Sequence, residues 1–428
     1  MAIQMKLRRP PLVSIIGCAA FATAAMLFFL TDFMLPSVSD KSDFTCTFYV
    51  AARLIIERRL KELYPLPSDT RLTETAYNKA AHKILPDLPA NVGTAQFYPP
   101  LVPLLFSPLG FLPPPVALFV FQILGIAAVA LSSRLLCSGK SAEKYFFCSF
   151  LFTPLTVALW IGQSDLIIGV LPYSLMYWLL SRNRPMSAGL VASVTLLKTN
   201  LMLVPGFISV ILILRHQWRM FAGLCAGGAV IILLNLLIFG PSVCSGWIVD
   251  VKLLESDFLN PTTGAARHLA ASLPRVLLFL APREQAGTVR IMLWISSAIF
   301  GLIGLAACRK LTQNSKDDLN TVSIAVVLSS CLLPLCAPYF LYYSFSVLIV
   351  AGMLVFSGSA SDPSWSSFIK PRVLALWIIM SIYPFLLIFS TNQVMPLIAV
   401  IPFIIVFVDI VRFSWNRSVP QPTASPGQ

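Results

Sequence analysis

Apolar runs of about twenty residues recur along the chain, separated by short polar stretches that hold most of its charge. That length is what an α-helix needs to cross the hydrocarbon layer of a bilayer, where every backbone polar group must be satisfied within the segment. The pattern predicts about 12 spans, near 11–34, 114–136, 146–161, 164–181, 186–199, 200–215, 219–240, 289–308, 321–337, 339–357, 373–390 and 393–411. Joining or splitting the shorter runs moves the count between about 10 and 13, and 186–199 and 200–215 are short enough to be broken helices. The predicted fold class is all-α: a polytopic helical bundle forming one membrane domain over 1–413, with a short polar tail, 414–428, expected to be disordered.

One stretch departs from the pattern. Residues 37–113 follow the first span and carry charges of both signs, with helical periodicity near Phe44–Leu63 and again near Asp69–Leu85. The stretch then becomes FYPPLVPLLFSPLGFLPPP, Phe97–Pro115, which is apolar but broken by proline. Such a piece fits a re-entrant or interfacial segment better than a full span. A second long connection is expected over 241–288.

Composition sharpens this reading. Charged residues make up 11% of the chain and hydrophobic ones 57%, against about 25% charged in a soluble domain. The formal charge of +13 does not point to nucleic acid, because no basic stripe with interleaved aromatics is present. Its natural partner is the bilayer, since Lys and Arg accumulate in cytoplasmic loops. Lys6, Arg8 and Arg9 precede the first span and place the N-terminus inside. Arg134/Lys140/Lys144, Arg182/Arg184, Arg215/Arg219, Arg309/Lys310/Lys316, Lys370/Arg372 and Arg412/Arg417 then fall on the same side, which puts the C-terminus inside as well. The first apolar run is long for a signal-peptide core and lacks a small-residue cleavage site, so a retained span is expected.

Several kinds of chemistry find no support. The nine cysteines are scattered, with no CxxC pair, and three histidines are too few for a histidine-based cluster, so no metal site is expected. No glycine-rich phosphate loop of the GxGxxG or P-loop kind occurs, and no cofactor is expected. A group donor, if one is used, should be membrane-borne.

The sparse polar residues collect on the face opposite the basic loops. Asp43 precedes an amphipathic helix, where it could take a proton as a general base or simply cap the helix; Asp40 is a rival acid three residues earlier. Lys198 lies between two apolar runs and must find a partner or snorkel, and a phosphate would suit its compact charge. Gly162-Gln163-Ser164-Asp165 could line a cavity, or turn the chain with Asp165 as a cap. Arg267 and His268 could hold a phosphate and a hydroxyl, or be solvated in the 241–288 loop. Tyr339, Tyr342 and Tyr343 could stack on sugar or belong to the interfacial aromatic belt.

In order, these segments resemble one family. DFTCTFYVAARLII, FYPPLVPLLFSPLGFLPPP with its Tyr98, GQSDLIIGVL, the block SAGLVASVTLLKTNLMLVPG and PYFLYYSF are similar to the successive motifs of glycosyltransferase family 87, within the GT-C superfamily, from about residue 40 to 350. Asp165 stands where that pattern has Asn, and Tyr339 where His is common. The resemblance implies a bacterial inner-membrane enzyme that moves a hexose, typically mannose, from a polyprenyl-phosphate donor to a lipid-linked or exported glycan or glycolipid on the periplasmic face. It implies Asp43 as base and Lys198 as a donor-phosphate contact. The competing classes are a flippase of lipid-linked sugars, a polysaccharide polymerase or ligase, and a structural envelope subunit. A transporter would favour two related halves, and no internal repeat is evident.

The topology is checked by thiol labelling in a cysteine-free background. A membrane-impermeant reagent added from the periplasmic side should modify Asp43→Cys and spare Lys140→Cys; modification at 140 would invert the assignment.

Overall fold

The structure is a computed structural model and describes residues 12–137, 139–253, 269, 271–280, 286–313, 318–358, 362–389 and 395–416. Apolar length becomes helix throughout, and no strand occurs among the described residues. The principal helices are α1 (Leu12–Met34), α2 (Phe44–Ile56, opening with a π-helical turn), α3 (Ala76–Ile84), α4 (Leu101–Leu105), α5 (Pro114–Leu136), α6 (Lys140–Ser149), α7 (Thr153–Trp160) and α8 (Leu166–Ser181). They continue as α9 (Pro185–Ile213), α10 (Arg219–Leu253), α11 (Leu273–Leu280), α12 (Ala286–Thr312), α13 (Asp318–Cys336), α14 (Tyr342–Phe356), α15 (Pro363–Phe389) and α16 (Met395–Asn416). The chain is a polytopic helical bundle, as the hydropathy pattern predicts.

Eight helices among the described residues are long and apolar enough to cross a membrane, fewer than the twelve runs expected. The difference has local causes. The runs at 164–181 and 339–357 become the shorter helices α8 and α14. The run at 146–161 is interrupted between Ser149 and Thr153, where Pro154 opens α7. The runs at 186–199 and 200–215 join as α9, which breaks at Lys198 (φ −134°, ψ 85°).

That break reverses the chain. A methyl group at Gly189 would fall 2.0 Å from the Met220 carbonyl oxygen, and one at Gly223 2.1 Å from that of Met186, so the start of α9 lies against the start of α10. Further along, Gly227 meets Ser193, so the two helices run parallel from that end. Yet only five residues, 214–218, separate the end of α9 from the start of α10. Both ends of α9 therefore lie together, and Lys198 is the apex of a fold-back. Small residues allow this approach of two backbones.

The same end gathers the basic connections. Arg215 pairs with Asp318 (3.2 Å) and donates to the Thr312 carbonyl (3.1 Å). Arg372 pairs with Asp409 (3.0 Å), and Lys310 lies over the Trp415 ring (4.3 Å). Helix α13 is buried on every side, the expected place for a helix that is apolar all round.

At the opposite end, residues 44–112 pack on α5 through an aromatic cluster. Phe44 and Phe106 meet Phe121 at centroid distances of 4.5 and 5.0 Å, and Phe48 meets Tyr98 at 4.9 Å. Each such pair adds about 0.5–1.5 kcal/mol beyond its burial. The proline-rich piece forms only short helices, α4 and a 3-10 turn at Ser107–Phe111, too short to cross a bilayer. It is fastened where buried Asn235 of α10 accepts the Leu101 N–H (3.0 Å) and Tyr49 donates to the Leu112 carbonyl (2.8 Å). Helix α10 bends at Gly240-Pro241 and continues to Leu253, so the first part of the expected 241–288 connection is helical. There Trp247 donates to the Phe97 carbonyl (3.2 Å).

Gly189→Val forces a side chain into the Met220 backbone. It should cost about 1–3 kcal/mol, read as a lower melting temperature in detergent; an unchanged midpoint would contradict the parallel α9–α10 packing.

Candidate active site

Three turns converge at the end of the bundle opposite the basic connections. The first precedes α2 and carries Asp43. The second, between α7 and α8, carries Gln163 and Asp165. The third is the apex of α9 with Lys198. Gly162 makes the second turn possible: its φ of +71° is left-handed, and a methyl group there would fall 2.3 Å from the Phe44 Cβ. The Phe44 N–H donates to the Ile161 carbonyl (3.1 Å), which locks the two turns together.

A continuous polar chain results. Lys198 Nζ pairs with Asp165 Oδ2 (2.5 Å) and donates to Gln163 Oε1 (3.0 Å). Gln163 Nε2 donates to Asp43 Oδ2. The Tyr98 hydroxyl also donates to Gln163 Oε1 (3.3 Å). An ammonium can only donate, so Lys198 obliges the Gln163 amide to turn its oxygen inward and its NH₂ toward Asp43. Lys198 is 8% exposed and Asp165 0%, so neither snorkelling nor solvation accounts for them. Asp165 makes no capping bond to the next helix, and Asp43 caps nothing.

The chain borders a cavity of about 640 Å³. Asp43, Gln163, Lys198, Asn200 and Tyr339 line it, with walls of Phe48, Tyr98, Trp247, Trp294 and Tyr343. Asp43 is crowded by protein yet part of its surface faces this space. Burial pushes its carboxyl up to about 6; the Gln163 hydrogen bond and then the Lys198 charge pull it back, and Asp165 adds to the rise. Burial likewise raises the Tyr98 phenol above its ordinary value.

Other expected site residues fall elsewhere. Asp40 is buried away from the cavity; burial and then neighbouring Asp87 push its carboxyl up to about 6. Tyr342 turns away and donates to the Met380 carbonyl (2.6 Å), while its neighbour Tyr343 takes the cavity wall. Arg267 and His268 lie outside the described residues. Asn200, two residues beyond Lys198, was not singled out from the sequence; it donates to the Tyr339 carbonyl (2.9 Å) and ties the apex of α9 to the turn before α14. Trp247 and Trp294 were also missed, because aromatic residues near a membrane boundary look alike in sequence whether they face lipid or a cavity.

Residues 97–338 match the sequence profile of glycosyltransferase family 87, more than half of the chain. The chain belongs to this family. It is thus a GT-C-like membrane glycosyltransferase, and the match takes in Tyr98, Gln163, Asp165 and Lys198, with Asp43 upstream of it and Tyr339 just beyond its end. No curated protein and no solved structure matches the chain significantly.

In this family 87 protein the ion pair should be worth most when broken on one side. Lys198→Ala strands a buried carboxylate and should destabilise by about 3–5 kcal/mol, whereas Lys198→Met combined with Asp165→Asn should recover much of the loss. Equal melting temperatures for the single and double variants would rule out the coupling.

Proposed function

We propose that this family 87 transferase moves a hexose, with mannose the first candidate, from a polyprenyl-phosphate donor to a hydroxyl of a lipid-linked or exported glycan, on the periplasmic face of a bacterial inner membrane. The observation that carries the reading is the Asp43 carboxylate, held by Gln163 at the wall of a mostly aromatic cavity of about 640 Å³. Ligand cavities commonly measure about 300–1,000 Å³. Aromatic walls stack on sugar rings and also suit an isoprenoid chain. With one oxygen engaged by Gln163, Asp43 keeps the other for the acceptor.

The chemistry follows from those placements. The acceptor hydroxyl oxygen bonds to the anomeric carbon as the bond from that carbon to the phosphate oxygen breaks. The bonding electron pair leaves with polyprenyl phosphate, and the hydroxyl proton passes to Asp43. Attack opposite the leaving group inverts the anomeric centre. A carboxyl raised to about 6 is still mostly ionised at neutral pH and a stronger proton acceptor than an ordinary aspartate. Lys198 and Asp165 act behind it by fixing the Gln163 amide.

The test is transfer from labelled polyprenyl-phosphomannose, and from the phosphoglucose and phosphoarabinose lipids, to a lipid and glycan extract. Asp43→Asn should lower kcat by about 10²–10⁴-fold without lowering the melting temperature; wild-type turnover in that variant would remove Asp43 as the base. The rate should rise with pH through about 6 as Asp43 ionises. Gln163→Leu removes a bond that favours the carboxylate, so its acid limb should move to higher pH; a limb that stays put would place the titration on another group.

A further inference from the structure

The polar chain that fixes Asp43 leaves two hydroxyl groups of the same cavity wall unused. Thr47 and Tyr343 both line the cavity and are 7% and 6% exposed. Neither side-chain oxygen hydrogen-bonds to a described residue, and neither is sealed inside the protein. Their neighbours differ. The Ser344 hydroxyl is sealed in, and that of Tyr342 is bonded to the Met380 carbonyl. The open oxygens of Thr47 and Tyr343 therefore belong to the space these two residues line.

Their positions relate them to the base. Thr47 follows Asp43 along the first turn of α2, and since both line the cavity they share one face, one helical turn or about 5 Å apart. Tyr343 comes from the first turn of α14, with its ring over Lys198 Nζ (5.4 Å to the centroid). The charged residues among those lining the cavity are Asp43 and Lys198, and Lys198 is paired with Asp165. An anion at the two hydroxyls would face the Asp43 carboxylate. A sugar hydroxyl, which both donates and accepts, matches a Thr or Tyr hydroxyl. Ile248 and Trp294, 57% and 58% exposed, mark the mouth of the cavity, whereas Thr47 and Tyr343 are more than nine-tenths buried at its enclosed part. A donor hexose is joined to its carrier only through the anomeric carbon, so its remaining hydroxyls can enter that part while the carrier stays at the mouth.

We propose that Thr47 and Tyr343 bind hydroxyls of the hexose being transferred and so determine which donor sugar is accepted. The proposal rests on the reading of the main cavity as a transferase site. The part of these residues is recognition. A site that hydrogen-bonds a substrate hydroxyl in an enclosed space rejects the analogue lacking it, because the protein's own polar group is then left unpaired. Asp43 remains the proton acceptor, and neither hydroxyl exchanges a proton in the reaction.

Binding is measured without acceptor or turnover, on full-length protein in nanodiscs. The probes are short-chain polyprenyl-phosphomannose and polyprenyl-phosphoglucose, the monodeoxy analogues of whichever binds more tightly, and polyprenyl phosphate without sugar. Loss of one neutral hydrogen bond should weaken donor binding by about threefold to tenfold in Tyr343→Phe and in Thr47→Val. For each variant one analogue should show no further loss: the one lacking the hydroxyl which that residue binds is held equally by wild type and variant. A merely structural role predicts the same loss with every analogue. Polyprenyl phosphate should bind all forms alike, and Thr47→Ser should bind the donor like wild type. Tyr343→Phe keeps the ring over Lys198 and carries the test if Thr47→Val fails to fold. Unchanged donor affinity in both variants, or equal losses across all analogues, overturns the subsite and leaves the transferase reading intact. Equal weakening of polyprenyl phosphate overturns it by placing the contact on the phosphate. Failure of wild type to bind either sugar lipid overturns the proposed donor class and the subsite with it.

Discussion

A lysine held away from water must have its charge answered, and in this protein Lys198 is answered by Asp165 and Gln163 at the apex of a reversed helix. The rest of the site is arranged around that requirement. The chain has to break its helix to present the ammonium, which is why Lys198 has extended rather than helical backbone angles. Gly162 has to adopt a left-handed turn to bring Gln163 within reach. Once the lysine is paired, the glutamine amide has one orientation only, and the orientation of Asp43 follows from it.

The ion pair is weak evidence for stability, because desolvating two charges costs about as much as their attraction returns. Its contribution is geometric. Asp43 adds a cost of its own. A carboxyl whose folded pKa, about 6, lies above its value of 3.8 in the absence of burial binds its proton more tightly in the folded state. That stabilisation is fully present below about 3.8 and is lost as pH rises to about 6; above this the folded protein carries an ionised group it would hold more easily protonated. The surrounding aromatic cluster and the Asn235 clamp on residues 97–112 are the packing that tolerates it.

The sequence by itself determined the helices, their apolar faces, the gathering of basic residues at one end and the order of the motifs, because hydropathy and motif spacing are local properties of the chain. It also brought Asp43, Gln163, Asp165 and Lys198 to attention, each with a bland alternative that position could not dismiss. Only the tertiary structure decided between those alternatives. Lys198 meets Asp165 across 33 positions and Gln163 meets Asp43 across 120, and a cap, a turn or a snorkelling lysine looks the same in sequence until the partner is known. The same reason explains how the apolar runs divide into eight long helices and several shorter ones, and why Tyr343 rather than Tyr342 lines the cavity. Whether two short apolar runs are separate helices or one reversing helix, and which of two adjacent tyrosines faces a cavity, depends on backbone turns set by packing against distant helices, not on the apolar character of the residues themselves.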